Sequence, residues 1–337
     1  MVRARGLFRR AGRRTNLALL ALLVGAFGTG WLAFAAGTPV PATLATVAHG
    51  VLGLGLVVLI PWKSVVVRRA PAITMASCTL LGLILICLGA GFVEVFVGYG
   101  LVWGLSPIQV HVGTALVAVP VLVGHLMRHR RQGPRRTDLS RRRLLQTGIF
   151  AAGIGVGYAV LEGVGALLGG AAARRIATGS HRLGAAEIPA TTWLFDRIPT
   201  LDAGGHRVDL AGSELSAAEL TARSRPVAAR LDCTSGWYAE AIWTAVPLAE
   251  LLPTDRLQAA VSIEVISVTG YRRRFPAAEA GVLFLATAVQ GRSLSPGTGA
   301  PVRLVAPYRR GFWWVKWVSE VRLSGRPAWA QSPFPLQ

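Results

Sequence analysis

The chain has 337 residues, of which 52% are hydrophobic and 15% charged, a balance too apolar for an ordinary soluble domain. The formal net charge of +20 invites a nucleic-acid reading. In the first half, however, the basic residues form short runs between apolar spans, where they report membrane topology, so no nucleic-acid partner is expected. Residues 1–173 hold three acids (Glu94, Asp138 and Glu162) against seventeen Lys and Arg. Residues 174–337 hold thirteen acids and nineteen Lys and Arg in a mixed apolar and polar texture. The division is into a membrane half and a globular half, and about 165 residues suffice for a domain with its own core. The only lysines are Lys63 and Lys316, a bias that points to a GC-rich bacterial genome.

Five apolar spans are expected in chain order, at 17–36, 44–61, 72–95, 107–127 and 144–170, each near the ~20 residues that cross a bilayer as helix. Six arginines precede the first, Lys63, Arg68 and Arg69 follow the second, and eight arginines fill 128–143. Segments 37–43 and 96–106 have neither Lys nor Arg. The positive-inside rule then sets the N-terminus in the cytoplasm, gives five crossings, and puts the globular half outside the bacterial cytoplasmic membrane. Ser140-Arg141-Arg142-Arg143-Leu144-Leu145, directly before the fifth span, reads as an internal twin-arginine export signal. Such a signal implies that the outer domain crosses already folded, and the usual reason is a cofactor inserted in the cytoplasm. The expected organisation is a four-helix membrane domain over 1–138, the signal and fifth helix over 139–173, and an extracytoplasmic globular domain over 174–337.

Histidines in the membrane half suggest a second centre. His49 and His111 lie about five and about four residues into their spans from the outer side, so at ~1.5 Å per residue both are at similar shallow depth. Two neutral imidazoles facing each other across helices make an axial pair for haem b iron. His125 lies fourteen residues beyond His111, nearly on the same helix face, but the second span offers Lys63 at the matching depth. One haem b is therefore a candidate, and a second lacks a partner. The bland alternative is that these histidines hydrogen-bond neighbouring helices. Glu94 is a candidate for quinol deprotonation, and Glu162 for pairing with a histidine. Glycines of the first and fifth spans fit close helix packing.

Cysteines are three. Cys78 and Cys87 share one span, nine residues apart on opposite helix faces, and read as packing residues. Cys233 is alone in the globular half, which excludes a disulfide framework and a Rieske cluster there but leaves a thiolate for one soft metal centre. It stands in "LDCTSGWYAEAIWTAVPLAELL". Cys233, Gly236-Trp237, Trp243-Thr244-Ala245-Val246-Pro247-Leu248 and Leu251-Leu252 resemble the cysteine block of the sulfite oxidase superfamily of molybdopterin enzymes. The likeness is to its smaller bacterial branch, which includes the periplasmic methionine-sulfoxide reductase catalytic subunit. Ala245 replaces a family glycine. "GTGAPVRLVAPYRRGFWWVKWVSEVRL" resembles a second family block, and "HRLGAAEIPATTWLFDRIPTLD" the segment that opens the domain.

The resemblance implies an α+β, strand-rich molybdopterin-binding domain following an α-helical membrane bundle of five transmembrane helices. It implies Cys233 as the catalytic protein thiolate on molybdenum. Arg303 and Lys316 match positions that hold the pterin, with backbone at Trp314 and Val315 adding N–H donors. Thr178, His181 and Arg182 match the family's opening contacts, and Ser267 and Thr298 further cofactor contacts, all with residue types that differ from the reductase branch. Trp237, Trp243, Trp313, Trp314 and Trp317 read as core, and Tyr271-Arg272-Arg273-Arg274 as a solvated run or an anion-attracting rim. The implied function is a membrane-anchored molybdopterin-dependent oxidoreductase performing two-electron oxygen-atom transfer on a small S- or N-oxide, sulfite or related oxyanion. Electrons would pass through the membrane domain to or from quinol or another donor or acceptor. Membrane lipid and the twin-arginine export machinery are the other expected partners. The alternative is a non-catalytic membrane-bound surface or assembly protein that retains the fold.

Overall fold

The computed structural model describes residues 12–68, 74–128, 140–191 and 197–334. The chain divides into two compact units, one built from Met1–Phe34 and Ala42–His181, the other from Ala35–Pro41 and Arg182–Gln337.

The first unit is helical. Its helices are α1 (Arg13–Ala35), α2 (Pro39–Arg68), α3 (Met75–Phe96), α4 (Pro107–Arg128) and α5 (Arg141–Leu168). All five are long and apolar enough to cross a membrane by length and composition. They coincide with the five spans read from the sequence, except that α2 extends well past both expected ends and runs on through Pro61. The polar end of α2 finds its own partner, since Lys63 Nζ donates to Asn16 Oδ1 of α1 at 3.1 Å. Helix contacts use small residues. Cβ atoms built on Gly25 and Gly55 would stand 3.1 Å from the side chains of Leu52 and Leu22, so α1 and α2 interlock leucine against glycine. Gly50 of α2 admits the Tyr158 ring of α5, which an added Cβ would meet at 2.4 Å. Ser140 is the N-cap of α5, and Arg141–Arg143 form its first turn. Their neighbours Arg130, Arg131, Arg135 and Arg136 lie outside the described residues, as do Arg69 and His129.

The second unit is strand-rich. Its strands are β1 (His181–Arg182), β2 (Arg207–Leu210), β3 (Glu214–Ser216), β4 (Arg225–Cys233), β5 (Trp237–Pro247), β6 (Ser262–Ser267), β7 (Arg272–Pro276), β8 (Phe284–Val289), β9 (Arg292–Ser293), β10 (Arg303–Val305) and β11 (Val318–Ser324). A six-stranded sheet has the order β1-β5-β8-β10, with β4 also on β5 and β9 on β8. A five-stranded sheet has the order β3-β2-β11-β6-β7, in which only the β2–β11 pair is parallel. Two short helices, α6 (Ala217–Arg223) and α7 (Thr254–Ala259), complete it. A capping box starts α6: Ser216 accepts from Glu219 N while the Glu219 carboxylate accepts from Ser216 N. Its Leu220 is fully buried, and Thr221 is hydrogen-bonded to Thr287 of β8 at 2.7 Å. Val208, Leu210, Trp243, Ile263, Val265, Phe275, Leu285 and Val321 are fully buried, and burial of such side chains contributes about 1.5–3 kcal/mol each.

Candidate functional site

The site is built around the tip of the β4–β5 hairpin. Cys233 ends β4 and pairs with Trp237, the first residue of β5, leaving a three-residue loop. Gly236 closes that loop at φ 89°, and its N–H donates to Cys233 O at 3.3 Å. A left-handed residue at this place is what a three-residue hairpin needs, so glycine fixes where the thiol stands. The thiol is buried, with Cys233 only 8% exposed.

A second segment closes over it. Gly311 packs so tightly that a Cβ on it would lie 3.0 Å from Cys233 Cα and 3.3 Å from Asp232 O. Its neighbour Arg310 forms a buried ion pair with Asp232, Nε to Oδ2 at 3.3 Å. Arg310 N also donates to Gly37 O at 2.9 Å, tying the segment down from the other side. The residues flanking the cysteine are thus held by charge, and the cysteine itself by backbone contact.

Arg303, at the start of β10, is 2% exposed. Its guanidinium lies between two indoles, 5.0 Å from the Trp243 ring centre and 5.6 Å from that of Trp314. One Nη donates to Thr298 O at 2.8 Å, while Nε is buried without a hydrogen-bond partner. No carboxylate pairs with it among the described residues; burial pulls its pKa down to about 10, and the nearby Cys233 works in the opposite direction. A buried cation without a carboxylate is costly, and it fits an anion placed beside it.

Lys316 is anchored differently. Its Nζ donates to Thr191 O and to Gly297 O, each at 2.7 Å, and lies 5.6 Å from the Trp317 ring centre. Thr298 ends a short 3₁₀ turn capped by Ser295. The turn is followed by Gly299 at φ 109°, where a Cβ would stand 3.1 Å from both Arg303 Cβ and Lys316 Cβ. Cys233, Thr298, Arg303, Trp314 and Lys316 therefore gather in one region through Gly299, Trp243 and Gly311. Val315 is fully buried and its carbonyl accepts from Leu304 N at 2.7 Å. The Trp314 N–H, expected as a cofactor donor, goes instead to Gly311 O at 3.0 Å. Ser267 ends β6 opposite Val318, two residues from Lys316, and its hydroxyl accepts from Thr269 N at 3.2 Å.

Arg182, Thr178 and His181, the remaining expected contacts, each have neighbours of their own. Arg182 has a 65% exposed side chain, 3.5 Å from Glu240. Thr178 and His181 belong to the helical unit. There Thr178 O accepts from Thr46 Oγ1 at 3.4 Å, and His181 Nε2–H donates to Glu94 O at 2.6 Å. Burial holds the His181 pKa below the ordinary value. Of the run after Tyr271, only Arg272 is exposed. Arg273 is fully buried among the rings of Tyr271, Phe312 and Trp313, and Arg274 is paired with Glu264 at 2.9 Å. Glu162 pairs with Arg175 at 2.7 Å, not with a histidine, because the chain returns past α5 immediately after leaving it. Sequence reasoning passed over Asp232, Arg310, Gly311 and the stacking role of Trp243. The first sits next to the cysteine and the next two inside the second block, where adjacency alone was the available signal.

Residues 196–332 match the family model described as oxidoreductase molybdopterin binding domain. The match covers most of the strand-rich unit and includes Cys233, Arg303 and Lys316. Among curated proteins, the chain is similar to the protein-methionine-sulfoxide reductase catalytic subunit MsrP of Xanthomonas campestris, 34% identical over 111 residues, covering 28% of this chain and 34% of the relative. The MsrP of Xanthomonas axonopodis is 33% identical over the same length and with the same coverage. The chain thus spans about a third of the length of the curated relatives it matches. Among solved structures it is similar to the sulfane dehydrogenase SoxCD from Paracoccus pantotrophus, with a TM-score of 0.34 and 21% identity over 38% of this chain and 40% of that one.

Proposed function

We propose that this chain is a membrane-anchored, molybdopterin-dependent oxidoreductase that performs two-electron oxygen-atom transfer on a small S- or N-oxide, sulfite or related oxyanion. The observation that carries the reading is a buried, hairpin-positioned Cys233 near a buried Arg303 that pairs with no carboxylate among the described residues. Cys233 would be the protein thiolate on molybdenum; Arg303 and Lys316 would hold the anionic pterin, with Thr298, Ser267, Trp314 and Val315 shaping its surroundings. When bound, the metal supplies exchange of an oxygen atom coupled to two electrons. The chain's own contribution is to exclude water from the thiol, fix its direction through Gly236 and Gly311, and balance charge through Arg303. The names of the Xanthomonas relatives favour sulfoxide reduction, in which R₂SO, two protons and two electrons give R₂S and water.

Electrons would come from quinol or another donor through the helical unit. The domain would lie on the extracytoplasmic side, exported folded through the Arg141–Arg143 signal. The test is turnover by the purified full chain with reduced viologen as donor and a panel of S- and N-oxides, and with ferricyanide as acceptor for sulfite. Turnover on one class, abolished in Cys233→Ala, is expected. No turnover on any class from molybdenum-loaded protein would favour the non-catalytic reading.

A further inference from the structure

We propose that His49 and His111 are the axial ligands of one b-type haem in the helical unit. The two histidines are far apart in sequence, on α2 and α4, yet their ring centres are 5.6 Å apart with planes at 87°. A metal bonded at about 2 Å to one nitrogen of each of two opposed imidazoles sets ring centres about 6.3 Å apart, and the observed spacing is within about 1 Å of that.

Each ring is oriented by the same device. His49 Nδ1–H donates to Ala26 O of α1 at 2.8 Å, and His111 Nδ1–H donates to Cys87 O of α3 at 2.8 Å. Such a bond fixes the tautomer and leaves Nε2 as the lone-pair nitrogen, as in metal-bound histidines. Neither Nε2 makes a hydrogen bond among the described residues. Each ring also lies against a glycine of the helix that accepts its proton. A Cβ on Gly30 or on Gly91 would stand 3.1 Å from the His49 or the His111 ring. Four helices therefore converge on two imidazoles.

The chemistry selects haem over a bare ion. Among the described residues no group of three or more His, Cys, Asp or Glu could hold a metal. Two imidazoles in an apolar bundle suit a metal that brings its own equatorial nitrogens. Gly53, one turn after His49 and on the same side of α2, would meet nothing within 4 Å if it carried a Cβ. At the other end of the bundle His125 Nδ1 is hydrogen-bonded to Ser77 Oγ at 3.4 Å and Lys63 to Asn16 at 3.1 Å. The ligand assignment stands apart from the molybdenum reading; only its role as the electron carrier rests on that reading.

The test uses the full chain, purified in detergent from a haem- and molybdopterin-competent host. Haem is read by the pyridine haemochrome and the reduced-minus-oxidised spectrum, and molybdenum by elemental analysis of the same sample. About one low-spin b-haem per chain is expected in wild type. His49→Gly and His111→Gly should each lose at least about tenfold of it and regain the low-spin spectrum with added imidazole, while His125→Gln keeps it. Gly53→Leu should lose haem with both histidines present. Molybdenum content should not change in any variant. Wild type without haem, or a low-spin spectrum persisting in both histidine variants, would overturn the assignment. Either result leaves the molybdenum reading to its own measurement.

Discussion

Replacing Arg303 by methionine should separate what this residue does for the fold from what it does for the cofactor. The guanidinium is 2% exposed and its pKa is drawn down to about 10. From an ordinary value of 12.5, that displacement corresponds to about 3 kcal/mol against the charged form in the fold. The sign follows from linkage. A base whose folded pKa is lowered destabilises the fold at every pH where both states are protonated, and is relieved only as pH rises from about 10 towards 12.5. Two indole faces and the Thr298 carbonyl return part of this, about 2 kcal/mol for the stacking and about 1.5–3 kcal/mol for the charged hydrogen bond. Without cofactor, Arg303→Met should therefore be as stable as wild type, within about 2 kcal/mol, since apolar replacement of buried ions is often neutral or stabilising. With cofactor the comparison reverses. Wild type gains stability from a ligand that binds only the folded state, and the variant gains nothing. The assay is thermal unfolding followed by tryptophan fluorescence, on full-length protein from hosts with and without molybdopterin synthesis. At about 2–4 °C per kcal/mol for a unit of this size, the cofactor-dependent shift should be plain in wild type and absent in the variant. A variant that is strongly destabilised without cofactor, or that keeps the full shift, would refute the view of Arg303 as an anion-holding cation.

Other substitutions probe the frame of the site. Gly311→Ala should destabilise the strand-rich unit by about 1–3 kcal/mol and lower turnover, because its Cβ meets backbone at 3.0 Å; unchanged melting and kcat would contradict the close packing. Asp232→Asn removes the counter-charge of buried Arg310 and should cost about 3–5 kcal/mol by denaturant melting, whereas a change below about 1 kcal/mol would show the pair to be solvated. Ser216→Ala breaks the capping box of α6 and should cost about 1 kcal/mol, measured in the same way. His181 is held below its ordinary pKa by burial, so the unfolded chain binds its proton first and stability should fall as pH drops below 6.5. His181→Gln should flatten that acid limb in melting curves between about pH 5 and pH 7, and an unaltered limb would remove this histidine from the account.

The membrane half was legible because its signal is long and redundant. Each helix repeats apolar character over twenty or more residues, and Lys and Arg mark alternate ends. The His49–His111 juxtaposition was legible for a related reason: equal depth in two helices is nearly a coordinate. Which neighbours orient the rings was not, because Ala26 and Cys87 act through backbone carbonyls that carry no sequence signature. In the strand-rich unit, Cys233 and Gly236 stand out in the sequence only through a family block; that they form a hairpin tip, with Gly236 at φ 89°, is visible only in the fold. Arg272–Arg274 could not be resolved from sequence. Strand alternation alone left open which face was buried, and the Tyr271–Phe312–Trp313 cage that takes in Arg273 is assembled from residues forty positions apart. Thr178 and His181 illustrate the reverse limit. They were placed by a resemblance alone, and their hydrogen bonds to Thr46 and Glu94 carry no sequence signature.

The central claim is that Cys233 is the protein thiolate of a molybdenum centre. It is tested most directly by molybdenum content and X-ray absorption at the molybdenum edge on the full chain, wild type beside Cys233→Ser. About one molybdenum per chain is predicted for wild type, with one sulfur fewer in the metal's shell when the cysteine is replaced. A wild-type protein without molybdenum from a competent host, or a metal shell unchanged by the substitution, would contradict the account.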